Sequence, residues 1–162
     1  MEQANKKNIV TFSMVLGIIS SIMIFVGMFL PVIDLSHFYS TADFQYDFFK
    51  VCKNVGYISS MWKAIPVGFI LAAAFMFILS FVKIPILKIL PCILAVALFI
   101  MMLVDVSNVV EWIKDFIDRF IENQNQSLDI TAGDVLGSLM IGLYTIICGI
   151  VVGLVSCFAT KK

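Results

Sequence analysis

The chain has 162 residues, of which 61% are hydrophobic and only 14% are charged, and its mean hydropathy is +1.04. Soluble globular domains carry about 45–50% apolar and about 25% charged residues, so this composition predicts an integral membrane protein. The net charge is zero, and Arg119 is the only arginine among the 11 basic residues. Without a basic balance or several arginines that could bind phosphates in bidentate fashion, nucleic-acid binding is excluded.

Four stretches are apolar enough to cross a membrane, which takes about 20 mostly apolar residues. They cover about 9–31, 64–82, 86–104 and 135–159, with no acidic residue in their interiors. The first exceeds the h-region of a signal peptide, about 7–15 residues, and no small-residue cleavage site follows it, so we expect an uncleaved span. Lys88 lies near the start of the third span and is expected to snorkel to the interface.

Lysine placement predicts the orientation, because positive residues near short loops stay on the cytoplasmic side. The N-terminal segment, the link between the second and third spans and the C-terminus together carry six lysines against one acid, Glu2. Segment 105–134 carries seven acids against Lys114 and Arg119, whereas segment 32–63 is balanced. We therefore expect both termini in the cytoplasm and both of these segments outside a plasma membrane.

A stripe of small residues follows every fourth position of the last span and includes Gly149 and Gly153. Helices in a membrane associate through close contact of such residues, so the stripe is interpreted as a contact between helices. It either lies inside a single four-helix bundle or joins copies in a homo-oligomer. Short connections favour antiparallel neighbours, most clearly for the second and third spans.

Segment 32–63 is rich in aromatic residues, and Phe44, Tyr46 and Phe48 alternate with polar residues. Period-two alternation predicts a half-buried strand. We therefore expect a short hairpin of about 32–38 with 42–49. Its aromatic side chains are expected to lie at the membrane interface and against the helix ends. The alternative is an aromatic patch that binds a ligand.

Apolar residues recur at three- and four-residue steps over about 108–123, which predicts an amphipathic helix. Asn108, with Glu111 three residues later, resembles a capping arrangement. A continuous helix over 86–123 would measure about 57 Å against a hydrocarbon core of about 30 Å, so we expect a bend near 105–108 or an outward projection. The polar face is acidic, unlike that of membrane-lying helices. We expect the apolar face to cover the hairpin, and the alternatives are a position in the interface or docking of a partner.

Few side chains suit catalysis. Only Cys52 of the four cysteines lies in an outer segment and no Cys-x-x-Cys motif occurs, which argues against a membrane thiol oxidoreductase. His37 is the only histidine, so no zinc site is expected. No ionisable side chain is expected inside the membrane, which gives a proton-coupled transporter little support. Neither a metal nor a cofactor is expected.

Two aspartates carry the enzymatic alternative. Asp105 ends the third predicted span and Asp134 precedes the fourth. Adjacent carboxylates can share a proton and divide the acid and base roles. Four spans, cytoplasmic termini and this pair resemble a lipoprotein signal peptidase, an intramembrane aspartic protease, and the resemblance implies Asp105 and Asp134 as its dyad. The family's asparagine-rich and arginine-containing segments are absent here, and both aspartates are more simply residues at helix ends.

The pattern of "GMFLPVIDLS", a Lys-Pro link and "ITAGDVLGSLMIGLYTIICGIVVGL" resembles uncharacterised small bacterial four-span membrane proteins. The expected fold is an all-α four-transmembrane-helix bundle with a small extracytoplasmic cap, in a single domain. The expected function is a non-enzymatic interaction, in an accessory, sensor or immunity-type role. The alternatives are an oligomeric transporter or channel and the aspartic peptidase.

The polar face of the amphipathic helix is the predicted partner-binding surface. It comprises Glu111, Lys114, Asp115, Asp118 and Glu122. The expected partners are the lipid bilayer and a membrane or extracytoplasmic protein, with a second copy of the chain as a further alternative.

Overall fold

The computed structural model describes residues 2–34, 45–82, 84–121, 131, 133 and 138–159. This part of the chain is mostly helical and has one small antiparallel sheet. The helices are α1 (Glu2–Gly27), α2 (Phe48–Val55), α3 (Ile65–Ser80), α4 (Pro85–Val104), α5 (Val106–Ile121) and α6 (Ile141–Phe158), and the strands are β1 (Pro31–Asp34) and β2 (Gln45–Asp47). A single 3-10 turn, Ser60–Lys63, precedes α3.

Three helical segments among the described residues are long and apolar enough to cross a membrane: Ser60–Ser80, Leu87–Val104 and Ile141–Phe158. Many of their large apolar side chains point outward, as expected where lipid rather than water is the solvent. The prediction of a mostly helical chain is confirmed, and so is the prediction of helices long and apolar enough to cross a membrane. In α1, the apolar stretch Phe12–Gly27 is shorter than these three.

The four long helices lie side by side, with α1 against α6 and α3, and α4 against α3 and α6. The contact between α1 and α6 is close because glycines face it. A Cβ atom on Gly149 would lie only 2.8 Å from Ile24 Cγ1, and one on Gly153 only 2.7 Å from Ser20 Oγ. Both glycines are buried, so α1 occupies the small-residue face of α6.

The last long helix begins later than the predicted residue 135, and that prediction is wrong at residues 138–140. The Asp34 backbone N–H donates to Ser138 O at 3.1 Å, and the Met140 N–H donates to Val32 O at 3.0 Å. Leu139 forms an isolated antiparallel bridge with Ile33. Leu139 and Met140 are extended because this segment pairs its backbone polar groups with β1, and α6 begins only after them.

Within the described residues, the second strand of the hairpin ends earlier than predicted. Strands β1 and β2 are antiparallel, with Ile33 opposite Tyr46. Residues 35–44 lie outside the described part, and the predicted extension of the second strand to residue 49 is wrong. Phe48 begins α2 instead, because the Asp47 side chain accepts the Lys50 backbone N–H at 2.9 Å and so caps the helix.

A turn at Asp105 separates α4 from α5, in the region where the length argument requires a bend. The predicted capping role of Asn108 is wrong, because the helix begins at Val106 and Asn108 lies within its first turn. There its side-chain amide donates to Asp105 Oδ1 at 2.6 Å. The strands, α2, the 3-10 turn and α5 therefore gather at one end of the long helices, and we call this group of elements the cap.

Candidate functional site

The apolar face of α5 is buried against other parts of the same chain. Val109, Trp112 and Ile113 are buried. The Tyr46 ring of β2 meets the rings of Trp112 and Phe116 edge to face, with centroids 5.3 and 5.8 Å apart. Helix α5 thus covers the second strand of the hairpin, and the aromatic residues that mark the hairpin in the sequence supply this contact.

Asp105 lies in the turn after α4, and its side chain contacts both the 3-10 turn and α5. Its Oδ2 accepts the Trp62 indole N–H at 2.7 Å, while its Oδ1 accepts the Asn108 amide. Each carboxylate oxygen therefore accepts one hydrogen bond. The charge-assisted bond from Trp62 attaches the 3-10 turn to the turn between α4 and α5. Asp134, the other member of the suggested dyad, lies outside the described residues.

The predicted partner surface lies on the side of α5 away from its buried face. Glu111, Asp115 and Asp118 are exposed, and Lys114 is half-buried. These acids recur at three- and four-residue steps and therefore form one acidic edge along the helix. Glu122 lies outside the described residues.

A groove of about 590 Å³ opens beside this edge, between α5 and the end of α2. That volume lies within the range of small-ligand and anchor-residue pockets, about 300–1,000 Å³. Aromatic rings form much of its wall, with a carboxylate and a guanidinium at the α5 side. The wall includes Tyr46, Asn54, Tyr57, Trp112, Asp115 and Arg119.

Two tyrosines give the groove different properties. Burial raises the pKa of the Tyr46 phenol, outweighing the opposing effect of Lys50, so Tyr46 stays protonated and can donate a hydrogen bond. The Tyr57 side chain is 75% exposed, and Lys63 Nζ lies 5.6 Å from its ring centroid. The groove thus presents an exposed ring and a phenol donor to an incoming group.

The sequence did not indicate Asn54 or Arg119 as site residues, and it indicated Tyr57 only as one of the aromatic residues of segment 32–63 that could bind a ligand or a partner. They meet only because α2 forms and ends beside α5. Its signal was present, since apolar residues at 48, 51, 52 and 55 follow a capping Asp47, but the alternating aromatics before it favoured a longer strand.

A metal centre is not seen where the structure describes the chain, since no three of its His, Cys, Asp and Glu side chains are grouped to hold an ion. His37 lies outside those residues. Comparison with models of known protein families finds no match, and neither do comparisons with curated proteins and with solved structures.

Proposed function

We propose that the protein is a four-span membrane protein with both termini in the cytoplasm and that its cap binds another protein outside. Helix α1 would be the fourth span: its apolar part, residues 9–27, measures about 28 Å at 1.5 Å per residue, close to a hydrocarbon core of about 30 Å. The excess of lysines at the termini and beside Lys83 supports this orientation.

The observation that carries the binding role is the groove beside the acidic edge. Because Tyr46 and the core occupy the apolar face of α5, that face is not available to lipid. What α5 offers outward is Glu111, Asp115 and Asp118, next to a groove with an aromatic wall. This combination suits a basic segment of an extracytoplasmic or membrane protein that inserts one apolar or aromatic side chain.

Such a binding site fits an accessory, sensor or immunity-type role, in which the membrane helices hold the cap at the surface. Aromatic anchors in a pocket supply most of the affinity of protein interfaces, and charged rims mainly steer the encounter. We therefore expect the exposed Tyr57 ring to dominate affinity and the acids of α5 to set the dependence of that affinity on salt.

Site-specific photocrosslinking in native membranes tests this role. A photoreactive phenylalanine at Tyr57 should capture a defined protein, crosslinked through a basic segment, whereas the same probe at exposed Tyr144 of α6 should not. Glu111→Lys combined with Asp115→Lys should abolish the adduct, and Lys53→Glu, an exposed cap control, should keep it. Equal capture from both positions, or an adduct that survives the charge reversal, would contradict the proposal.

A further inference from the structure

Two cysteines far apart in sequence meet between α4 and α6, at the end of the long helices away from the cap. Cys92 Sγ and Cys157 Sγ lie 3.7 Å apart, although 65 positions separate the residues. The two residues are 0% and 3% exposed. No sequence motif indicates this pair, because the sulfurs are brought together only by the antiparallel contact of two helices.

A lysine completes the cluster. Lys88, one helical turn before Cys92, is only 5% exposed, so the expectation that it snorkels to the interface is wrong. Its Nζ donates to Ser13 Oγ at 3.3 Å, and the Ser13 hydroxyl donates to the Ser156 carbonyl at 2.8 Å. Lys88 points inward because positions 88 and 92 share the helix face that meets α6.

The Ser13 hydroxyl thereby links the Lys88 ammonium to the backbone carbonyl of Ser156, the residue next to Cys157. A buried charge is costly in an apolar layer, and where one occurs it commonly marks a functional site. Here it provides a positive charge that balances a thiolate on the neighbouring sulfur during reaction. The cluster therefore has a nucleophile, a second thiol in contact with it, and a counter-charge.

We propose that Cys92 and Cys157 are an oxidation site at which hydrogen peroxide forms a disulfide between α4 and α6. An oxidant that reaches buried thiols in an apolar layer must be small and uncharged, which favours peroxide over a charged disulfide such as oxidised glutathione. This inference is independent of the binding role of the cap.

Hydrogen peroxide would form the disulfide in two steps. The Cys157 sulfur attacks one peroxide oxygen, the O–O bond breaks, and the departing hydroxide leaves as water with the thiol proton. This step leaves a sulfenic acid on Cys157. The Cys92 sulfur then attacks the Cys157 sulfur, the S–O bond breaks, and a second water departs with the Cys92 proton. Two thiols lose two electrons, and one peroxide becomes two waters.

The disulfide would close a chain loop over residues 92–157, which contains most of α4, all of α5 and nearly all of α6. Because α4 leads into α5 through the turn at Asp105, the cross-link would fix the helix that precedes the acidic edge. Oxidation at one end of the helices would thereby restrain the elements that support the cap at the other end.

The test uses the reduced, full-length protein in lipid nanodiscs, treated with hydrogen peroxide and then denatured and alkylated. The wild type should fall from four reactive thiols to two, keeping Cys52 and Cys148, and dithiothreitol should restore all four. Cys92→Ser should form no disulfide and should leave a dimedone-reactive sulfenic acid on Cys157. Cys148→Ser, the control for an unpaired thiol, should still form the disulfide.

The proposal would be overturned if Cys148 lost its thiol before Cys92 and Cys157 did, or if Cys92→Ser still lost two thiols. Four intact thiols in the treated wild type would also overturn it. Lys88→Met tests the counter-charge, since it should slow disulfide formation while leaving the helix content unchanged by circular dichroism. If Lys88→Met forms the disulfide at the wild-type rate, the lysine takes no part in the oxidation.

Discussion

The long helices and the cap are held together by opposite kinds of contact. Between α1 and α6 the closest approach occurs where side chains are smallest, and the Ser20 hydroxyl donates to the Gly149 carbonyl at 2.6 Å. In the cap the contacts are between large rings, such as Tyr46 and Trp112 with centroids 5.3 Å apart. On the proposed architecture the long helices lie in lipid, which gives them no hydrophobic reason to associate, so close contact replaces burial. The cap would border water, where burying rings is favourable.

This difference predicts opposite sensitivities. In the cap the removal of atoms should be most harmful, because each lost ring leaves a cavity. Between α1 and α6 the addition of atoms should be most harmful, because the backbones leave no room.

Phe48→Ala should have the largest effect. The side chain is fully buried between the cap and α3, so its truncation should lower the free energy of unfolding by about 3–5 kcal/mol. Equilibrium unfolding in mixed micelles, followed by circular dichroism, measures this change. Phe75→Ala, at an exposed position of α3, is the matched control and should change stability by about 0.5 kcal/mol or less. Equal losses of unfolding free energy in the two variants would show that buried rings do not stabilise the cap.

Gly149→Leu should come next. A Cβ atom alone would approach the Ile24 backbone nitrogen to 3.0 Å, so the helices must separate, at a cost of about 1–3 kcal/mol. The same unfolding measurement applies, with Val151→Leu on the exposed side of α6 as the control. A stable Gly149→Leu protein whose only defect is lost self-association would instead place this glycine at an interface between copies.

Trp62→Phe preserves most of the ring and removes the donor to Asp105, which should lower stability by about 1–3 kcal/mol. In a double-mutant cycle with Asp105→Asn, the combined loss should be smaller than the sum of the two single losses. Strict additivity would show that this hydrogen bond does not stabilise the joint between the cap and the helices.

Cys52 should give the smallest effect, confined to alkaline pH. Burial raises the pKa of its thiol, so the folded state holds the proton more tightly than the unfolded state. Its contribution is fully present below the unfolded pKa of about 8.5 and declines as pH rises, by at most about 1.4 kcal/mol per pH unit. Unfolding measured from pH 7 to 10 should show a steeper decline for the wild type than for Cys52→Ala, and identical slopes would contradict this assignment.

The parts of the fold that the sequence predicts are those set by local composition. Apolar length predicts α3 and α4 closely, and periodicity predicts the amphipathic α5, because each depends on residues within one segment. The non-helical residues 138–140 cannot be predicted in this way, since their conformation depends on Val32 and Asp34, more than a hundred positions away.

The site was predicted in part for the same reason. The acidic edge is a property of α5 alone, so its residues follow from the sequence. The groove needs Tyr57 from beyond α2, and the thiol pair needs Cys92 and Cys157 from two different helices. Lys88 was misjudged because its position along the span suggested an interface, while its direction depends on which helix it faces.

The four-span architecture is tested most directly by determining on which side of the membrane each end of α1 lies. Asn5→Cys, Lys50→Cys and Phe81→Cys, each compared with the parent chain in intact cells, would be treated with an impermeant maleimide. We predict that Lys50→Cys gains label in intact cells, whereas Asn5→Cys and Phe81→Cys gain it only after permeabilisation. If Asn5→Cys and Lys50→Cys label from the same side, α1 does not cross the membrane, and the four-span architecture is wrong.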